Sequence, residues 1–230
     1  MEIIDLTLQL QDGLKTFASH PRFTLLDQVT YEFSAPRYQP PCEGFASKLL
    51  IASDHGGTHV DAPSHFIKGG KDIHEVPLQQ LIGPAVCIDV SDKAPDAVID
   101  SAMLAHRCEE RAIEIRQGDI VLLRAFPGRW GDPGFYEWQG INDDGAAWLQ
   151  EKGIKALGMD LAMVDEVGNP KRPVHMRMLG ADILLIENLV HLDRVANRRF
   201  LFIGLPLNVK GATASPIRAI AIPGKENALS

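Results

Sequence analysis

The stretch Asn142-Asp-Asp-Gly-Ala-Ala-Trp-Leu-Gln-Glu-Lys152-Gly153-Ile-Lys155-Ala-Leu-Gly-Met-Asp160 decides the fold class. Asn142 is a good helix N-cap and Gly153 a good stop, so residues 142–152 read as a helix. Residues 155–160 then read as a strand, and the apolar run 119–124 reads as another strand ahead of the helix. A strand, a helix and a strand in that order are the unit of an α/β sheet.

The pattern extends outward in both directions. Near the start, Ile4, Leu6, Leu8 and Leu10 alternate with polar residues, the period of a strand that buries one face. Further strand-like runs fall at 47–53, 85–90, 183–186, 200–205 and 217–222. Several runs are apolar on both faces, which predicts central positions in a sheet. Residues 101–116, closed by Gly118, and residues 188–195 read as helices. Helices follow strands in the second half, whereas the first half is mostly strand and loop. The expectation is therefore an α/β or α+β domain rather than a sandwich or a bundle, and the absence of repeats and long polar linkers predicts one domain over residues 1–230.

Composition narrows the function classes. With 45% hydrophobic and 23% charged residues the chain has the balance of a globular protein. Its 23 Lys and Arg against 30 Asp and Glu give a net charge of −7, the wrong sign for a nucleic-acid backbone or an anionic membrane surface. No stretch approaches the roughly 20 apolar residues of a bilayer span. Glu2 and Asp5 sit where a secretory leader would be basic and then apolar, and Cys42, Cys87 and Cys108 form no C-x-x-C pair. The expected location is the cytoplasm, with reduced thiols. Neither a phosphate loop nor a dinucleotide fingerprint is present, so a phosphate-bearing cofactor is not expected.

Four of the eight histidines lie between residues 55 and 74, most of them in His55-Gly-Gly-Thr-His59-Val-Asp61-Ala-Pro-Ser-His65-Phe. Two glycines, branched Thr58 and Val60, and Pro63 oppose a helix here, so a strand or strand-edge loop is expected. On an extended backbone His59 and Asp61 project to one side, and the glycines let the chain bend so that His55 converges on them. Two imidazoles and a carboxylate form a three-point site for zinc, manganese or iron that leaves positions for water and substrate. Position 56 is Gly, so the helical H-E-x-x-H protease motif is absent. His65 reads as a fourth ligand or a proton-transfer base. Further on, Glu187 ends the apolar run 183–186, where α/β sheets open their ligand crevice, and His175 lies just upstream. Five of the fifteen aromatics fall between 126 and 140, and Phe126 and Trp130 among them are candidate walls of a substrate pocket.

These segments resemble the cyclase-family metal-dependent hydrolases, which include bacterial kynurenine formamidases, isatin hydrolases and some γ-lactamases. The likeness runs through Asp5-Leu-Thr7, HGGTHVDAPSHF, Leu81-Ile-Gly-Pro-Ala-Val86, Asp119-Ile-Val-Leu-Leu-Arg124, Pro173-Val-His175, Ile186-Glu-Asn-Leu189 and Ser215-Pro-Ile-Arg218. It implies a compact fold of the swivelling β/β/α kind, a mixed sheet with flanking helices, assembled into homodimers or homotetramers. It also implies one or two divalent ions, manganese or zinc, on His55, His59 and Asp61. The second ion would be bridged by Asp61 and held by His175 and Glu187, with His65 moving protons. Gly56 and Asn188 resemble the isatin-hydrolase and general-hydrolase branches more than the formamidases. The expected activity is hydrolysis of a C–N bond in a small, cyclic or aryl-linked amide. The alternatives are an arylformamidase acting on N-formylkynurenine, a non-haem Fe(II) oxygenase with the same ligand type, and a non-catalytic metal-binding module.

Overall fold

Residues 142–160 form the expected unit. Asn142 accepts a hydrogen bond from the Gly145 N–H at 2.9 Å and so caps the helix that follows. The computed structural model describes residues 1–226 and 228. In chain order its elements are β1 (Ile4–Asp5), β2 (Thr24–Val29), α1 (Tyr31–Ser34), β3 (Ser47–Ile51), β4 (His59–Asp61), β5 (Ile82–Asp89), α2 (Ser101–Glu110) and β6 (Ile120–Arg124). They continue with α3 (Asp143–Glu151), β7 (Ala156–Met159), α4 (Pro173–Gly180), β8 (Leu184–Glu187), β9 (Arg199–Ile203), β10 (Ala214–Pro216) and β11 (Ile220–Pro223). None of these helices is long and apolar enough to cross a membrane.

Nine strands make one mixed sheet in the order β1-β11-β9-β5-β6-β7-β8-β4-β10. Strands β5 to β8 are parallel, each joined to the next through α2, α3 or α4, and the remaining pairs are antiparallel. Alternation along the central strands feeds two cores. Val86, Ile88, Val121, Leu123 and Leu157 point toward Leu104 of α2, Leu149 of α3 and Met178 of α4. Their neighbours Ala85, Cys87, Ile120, Leu122 and Ala156 point the other way, to meet Ile4, Val60, Phe200, Phe202 and Ala221. The second core thus draws side chains from strands at both ends of the sheet, which therefore curls over it. A bridge between Thr7 and Leu189 carries the chain beyond β1 to the end of β8.

The structure corrects several sequence expectations. The first strand stops at Asp5, whose Oδ1 accepts from the Thr7 N–H at 3.1 Å and turns the chain. The helix at 101–116 ends at Glu110, because Ala112 takes a left-handed φ of 50° and the Ile113 N–H closes back on the Cys108 carbonyl at 2.8 Å. Residues 188–195 form no α-helix. Asn188 and His191 are left-handed, Asn188 and Leu189 donate to Leu161 and Met159, and only a 3-10 turn at Leu192–Val195 remains. The run at 47–53, apolar on both faces, is not central: among the described residues β3, over 47–51, pairs with β2 alone in a separate ribbon. Helix α4, opened by Pro173 at its first turn, carries His175.

Candidate metal centre

Strand β4 supplies His59 and Asp61 on one face, with Val60 buried in the opposite core. In the antiparallel pairing of β4 with β8, His59 lies directly opposite Glu187, which puts that carboxylate on the same face. Helix α4 packs on this face and contributes His175. Gly57 makes the entry possible: its φ of 76° lets the chain turn between His55 and His59, and its carbonyl accepts from His59 Nδ1 at 2.8 Å. All five side chains are buried.

Their atoms converge. Asp61 Oδ1 lies 2.8 Å from His55 Nδ1 and 3.3 Å from His59 Nε2, while Asp61 Oδ2 lies 3.6 Å from His175 Nε2. Glu187 reaches His59 Nε2 at 3.7 Å and His175 Nε2 at 3.5 Å. His65, on the 3-10 turn Pro63–His65, stacks its ring on His55 with centroids 3.9 Å apart, and lies 5.8 Å from the His175 ring.

The outer hydrogen bonds set the tautomers. His59 Nδ1 faces a carbonyl, which can only accept, so Nδ1 carries the proton and Nε2 turns a lone pair inward. His175 Nδ1 is hydrogen-bonded to the carboxylate of Asp165, with the same result. Thr213 Oγ1 donates to Asp54 Oδ2 at 3.1 Å, so it accepts from His55 Nε2 at 3.0 Å and leaves His55 Nδ1 facing Asp61. With the imidazoles neutral, three lone pairs and two carboxylates therefore meet with no hydrogen-bond donor among them. Neither Asp61 oxygen accepts a well-formed hydrogen bond, although both are buried. Two trios here lie close enough to hold an ion, His55, Asp61 and His65, and His59, Asp61 and Glu187, and their nitrogen and oxygen donors suit zinc or manganese. The residues fit a divalent ion.

The electrostatics agree. Burial disfavours a charged His59, but Asp61 and Glu187 outweigh it and raise its pKa to about 9. His175 is likewise raised to about 10, against burial, by Asp165, Asp61 and Glu187. Asp61 is held well below its usual range despite burial by the imidazoles around it, whereas burial and the like charge of Asp61 push Glu187 up. Without an ion, protons on two imidazoles balance the carboxylates; a divalent cation takes over that role. His65 differs, since burial pushes it down to about 4 and keeps the ring neutral at neutral pH.

Asp165 was not among the sequence candidates. It is fully buried, accepts from the Val174 N–H at the start of α4 at 2.8 Å, and orients His175. The adjacent Val164 N–H donates to Glu187 Oε1 at 3.0 Å, so one two-residue segment steadies both later donors. An acid straight after the apolar run 161–164 was the available signal. Asp54, Thr213 and His20, whose ring lies 6.1 Å from His55, also emerge only here.

The aromatic candidates divide. Phe126 is buried with its ring edge-on to Phe135 at 5.2 Å and Trp138 at 5.3 Å, so it belongs mainly to the loop's own core. Trp130 donates through Nε1 to Asn188 Oδ1 at 2.8 Å, which ties the loop to the residue after Glu187. Both line a cleft of about 1330 Å³ with Leu10, Arg124 and Asp160, and among the described residues none of the five donors lines it. Leu10, which also lines it, abuts Gly57 of the His55 to His59 turn.

The family model named Cyclase matches residues 4–166. The chain belongs to this cyclase family. Among curated relatives of this cyclase-family chain, kynurenine formamidase of Bacillus mycoides is 32% identical over 174 residues, covering 76% of this chain and 78% of that one. Kynurenine formamidase of Bacillus cereus is 29% identical over 222 residues, covering 96% and 98%. Among solved structures, isatin hydrolase A from Labrenzia aggregata superposes with a TM-score of 0.82 at 24% identity, covering 96% of this chain and 93% of that one. That likeness shows the shared α/β fold.

Proposed function

We infer that this cyclase-family chain is a divalent-metal-dependent hydrolase that cleaves the C–N bond of a small, cyclic or aryl-linked amide. The observation that carries the reading is the convergence of His55, His59, His175 and Glu187 on the buried, unpartnered oxygens of Asp61, with the neutral ring of His65 beside it. The names of the relatives, kynurenine formamidase and isatin hydrolase, support the bond class.

A bound divalent ion supplies acidified water and polarises the substrate carbonyl. His55, His59 and Asp61 would hold it. The second oxygen of Asp61 faces His175, so His175 and Glu187 would hold a further ion on that side. His65 takes a proton from the attacking water as its oxygen bonds to the carbonyl carbon, and returns it to the nitrogen as the C–N bond breaks. Trp130, fixed by Asn188, is the proposed aromatic contact for an aryl group, and Phe126 braces its loop. An occupied second half-site favours the arylformamidase reading, and a single ion favours the isatin-hydrolase type.

The test is elemental analysis of protein purified without chelators, with a His59→Ala control, alongside hydrolysis of isatin and N-formylkynurenine without dioxygen. Manganese or zinc at one or two ions per chain, lost in the control, with anaerobic turnover of an amide, is the expected result. A metal content unchanged by His59→Ala, or turnover that requires dioxygen, overturns it. His65→Ala should keep its metal and lose about 10²- to 10⁴-fold in kcat.

A further inference from the structure

We propose that His20 contacts the substrate, and that it selects aryl amides carrying a second carbonyl oxygen within a few bonds of the scissile one. The proposal deepens the reading given under Proposed function and rests on it. Residues 14–23 form a loop whose ends are tied by backbone hydrogen bonds: the Gly13 N–H donates to the Phe23 carbonyl at 2.9 Å, and the Phe23 N–H to the Leu14 carbonyl at 2.8 Å. Closed surface loops of this length frequently carry function. Thr16, the buried residue of this loop, docks it on the candidate site. Its hydroxyl accepts from the Gly57 N–H at 3.3 Å, in the turn between His55 and His59. Its carbonyl accepts from the Tyr136 hydroxyl at 3.3 Å, which joins the loop to the aromatic segment that holds Trp130.

The imidazoles gathered at the centre are of two kinds. His55, His59 and His175 are buried, and each is fixed from outside by Thr213, Gly57 or Asp165. His20 and His65 are only partly buried and stand beside His55, with ring centroids 6.1 Å and 3.9 Å away. The two partly exposed rings mark the side on which the ligand cluster faces solvent. His65 already has a part in proton transfer, which leaves His20. Its Nδ1 is buried with no hydrogen-bond partner among the described residues. A buried polar atom left unmatched is costly, and a ligand that brings the missing partner removes that cost. Imidazole can donate through Nδ1 to an acceptor oxygen. The His20 N–H closes on the Phe17 carbonyl at 3.2 Å, and the two rings lie 5.5 Å apart. The loop thus presents one unmatched polar atom beside an aromatic face, which fits an aryl carbonyl better than an aliphatic amide.

The consequence is selectivity. An apolar wall discriminates weakly between similar substrates, whereas a buried polar atom discriminates strongly against a substrate that cannot match it. His20 is therefore a specificity-determining residue that acts away from the scissile bond. It is also separable from the metal ligands. The hydrogen bonds that orient His55, His59 and His175 run to Thr213, Gly57 and Asp165, and none of them passes through His20. Loss of the His20 ring should leave metal retention unchanged and alter the choice of substrate.

Steady-state hydrolysis by the full-length, metal-loaded chain tests the proposal with two aryl amides that differ in the second oxygen. N-formylkynurenine has an aryl ketone beside its formamide, and formanilide has none. In His20→Ala, kcat/KM for N-formylkynurenine should fall about 10-fold, while that for formanilide changes by less than about twofold and the metal content is unchanged. His20→Asn, whose side-chain amide can place an N–H near the position of Nδ1, should recover most of the loss. Equal losses on both amides, or metal lost from His20→Ala, show that His20 supports the centre instead and overturn the proposal. So does a His20→Ala chain that matches the natural one on both amides. A natural chain that hydrolyses neither of them nor isatin refutes the functional reading, and calorimetric titration of the two amides then decides the role of His20 separately. Tighter binding of N-formylkynurenine than of formanilide, abolished in His20→Ala, upholds the contact. Binding that is equal for the two amides, or unchanged in His20→Ala, overturns it.

Discussion

Each inward-facing nitrogen at the centre is specified by what its ring touches on the other side. The Gly57 carbonyl, the Asp165 carboxylate and the Thr213 hydroxyl decide which nitrogen of each histidine can bind a cation. Of these, Asp165 has the most to lose, since it also caps the first turn of α4. Asp165→Asn should lower metal affinity by about 10- to 100-fold, read as metal lost on dialysis against a graded chelator. Retention equal to that of the natural chain shows that helix packing alone orients His175. The backbone is as exacting at Gly57, where φ is 76° and a Cβ would stand 2.5 Å from Leu10 Cδ2. Gly57→Ala should cost about 1–3 kcal/mol in a urea melt and loosen the His55 to His59 turn.

The motif supplies residues, and pairing decides their meaning at the level of elements. Strand β4 has only three residues, yet its register against β8 aligns His59 with Glu187, which are 128 positions apart. The end of β7 carries a second acid, Asp160, in the cleft. Its burial raises its pKa to about 7, even though Ala125 and Phe126 donate backbone N–H groups to it. A folded-state pKa above the unfolded value means that the folded chain keeps a proton which the unfolded chain releases at about pH 4. Stability is therefore lost as pH rises from there to about 7, and this group adds no further loss above. Asp160→Asn removes that slope. Its deficit against the natural chain should be larger at pH 5 than at pH 8, as measured by urea melts. Equal deficits show that Asp160 is ionised in the fold throughout.

For the molecule as a whole, the candidate site lies where the sheet, α4 and the 65–66 turn meet, so an ion bound there would tie together residues 55 to 187. A ligand that binds the folded state alone stabilises it, by about 2.7 kcal/mol at a free concentration 100 times its Kd. Chelation should therefore lower the melting temperature, and manganese or zinc should restore it in a concentration-dependent way. A melting temperature indifferent to chelator and metal means that the buried donors hold protons instead. The two cores follow from the same curled sheet, which explains why Ile4 and Ala221, near opposite ends of the chain, pack into one of them.

Local physics made much of this legible in the sequence. Asn142 and Gly153 bound α3 because capping and left-handed backbone are properties of single residues, and the histidine-rich turn shows its ligand spacing because three donors lie within seven positions. What lay beyond it was non-local. Strand β3 reads as central from its two apolar faces, but hydropathy cannot say which surface covers a strand, and among the described residues its one strand partner is β2. Residues 188–195 have helical composition, but hydrogen bonds to Leu161 and Met159 hold them as a loop. Asp165, Thr213 and Asp54 are ordinary polar residues until the fold brings them behind the histidines. The sequence by itself determined the donor chemistry and the α/β order, because both reside in neighbouring residues. Only the tertiary structure decided the tautomers, the pairing of Asp61 with His175 and the exposure of the ribbon, because each depends on atoms far apart in the chain.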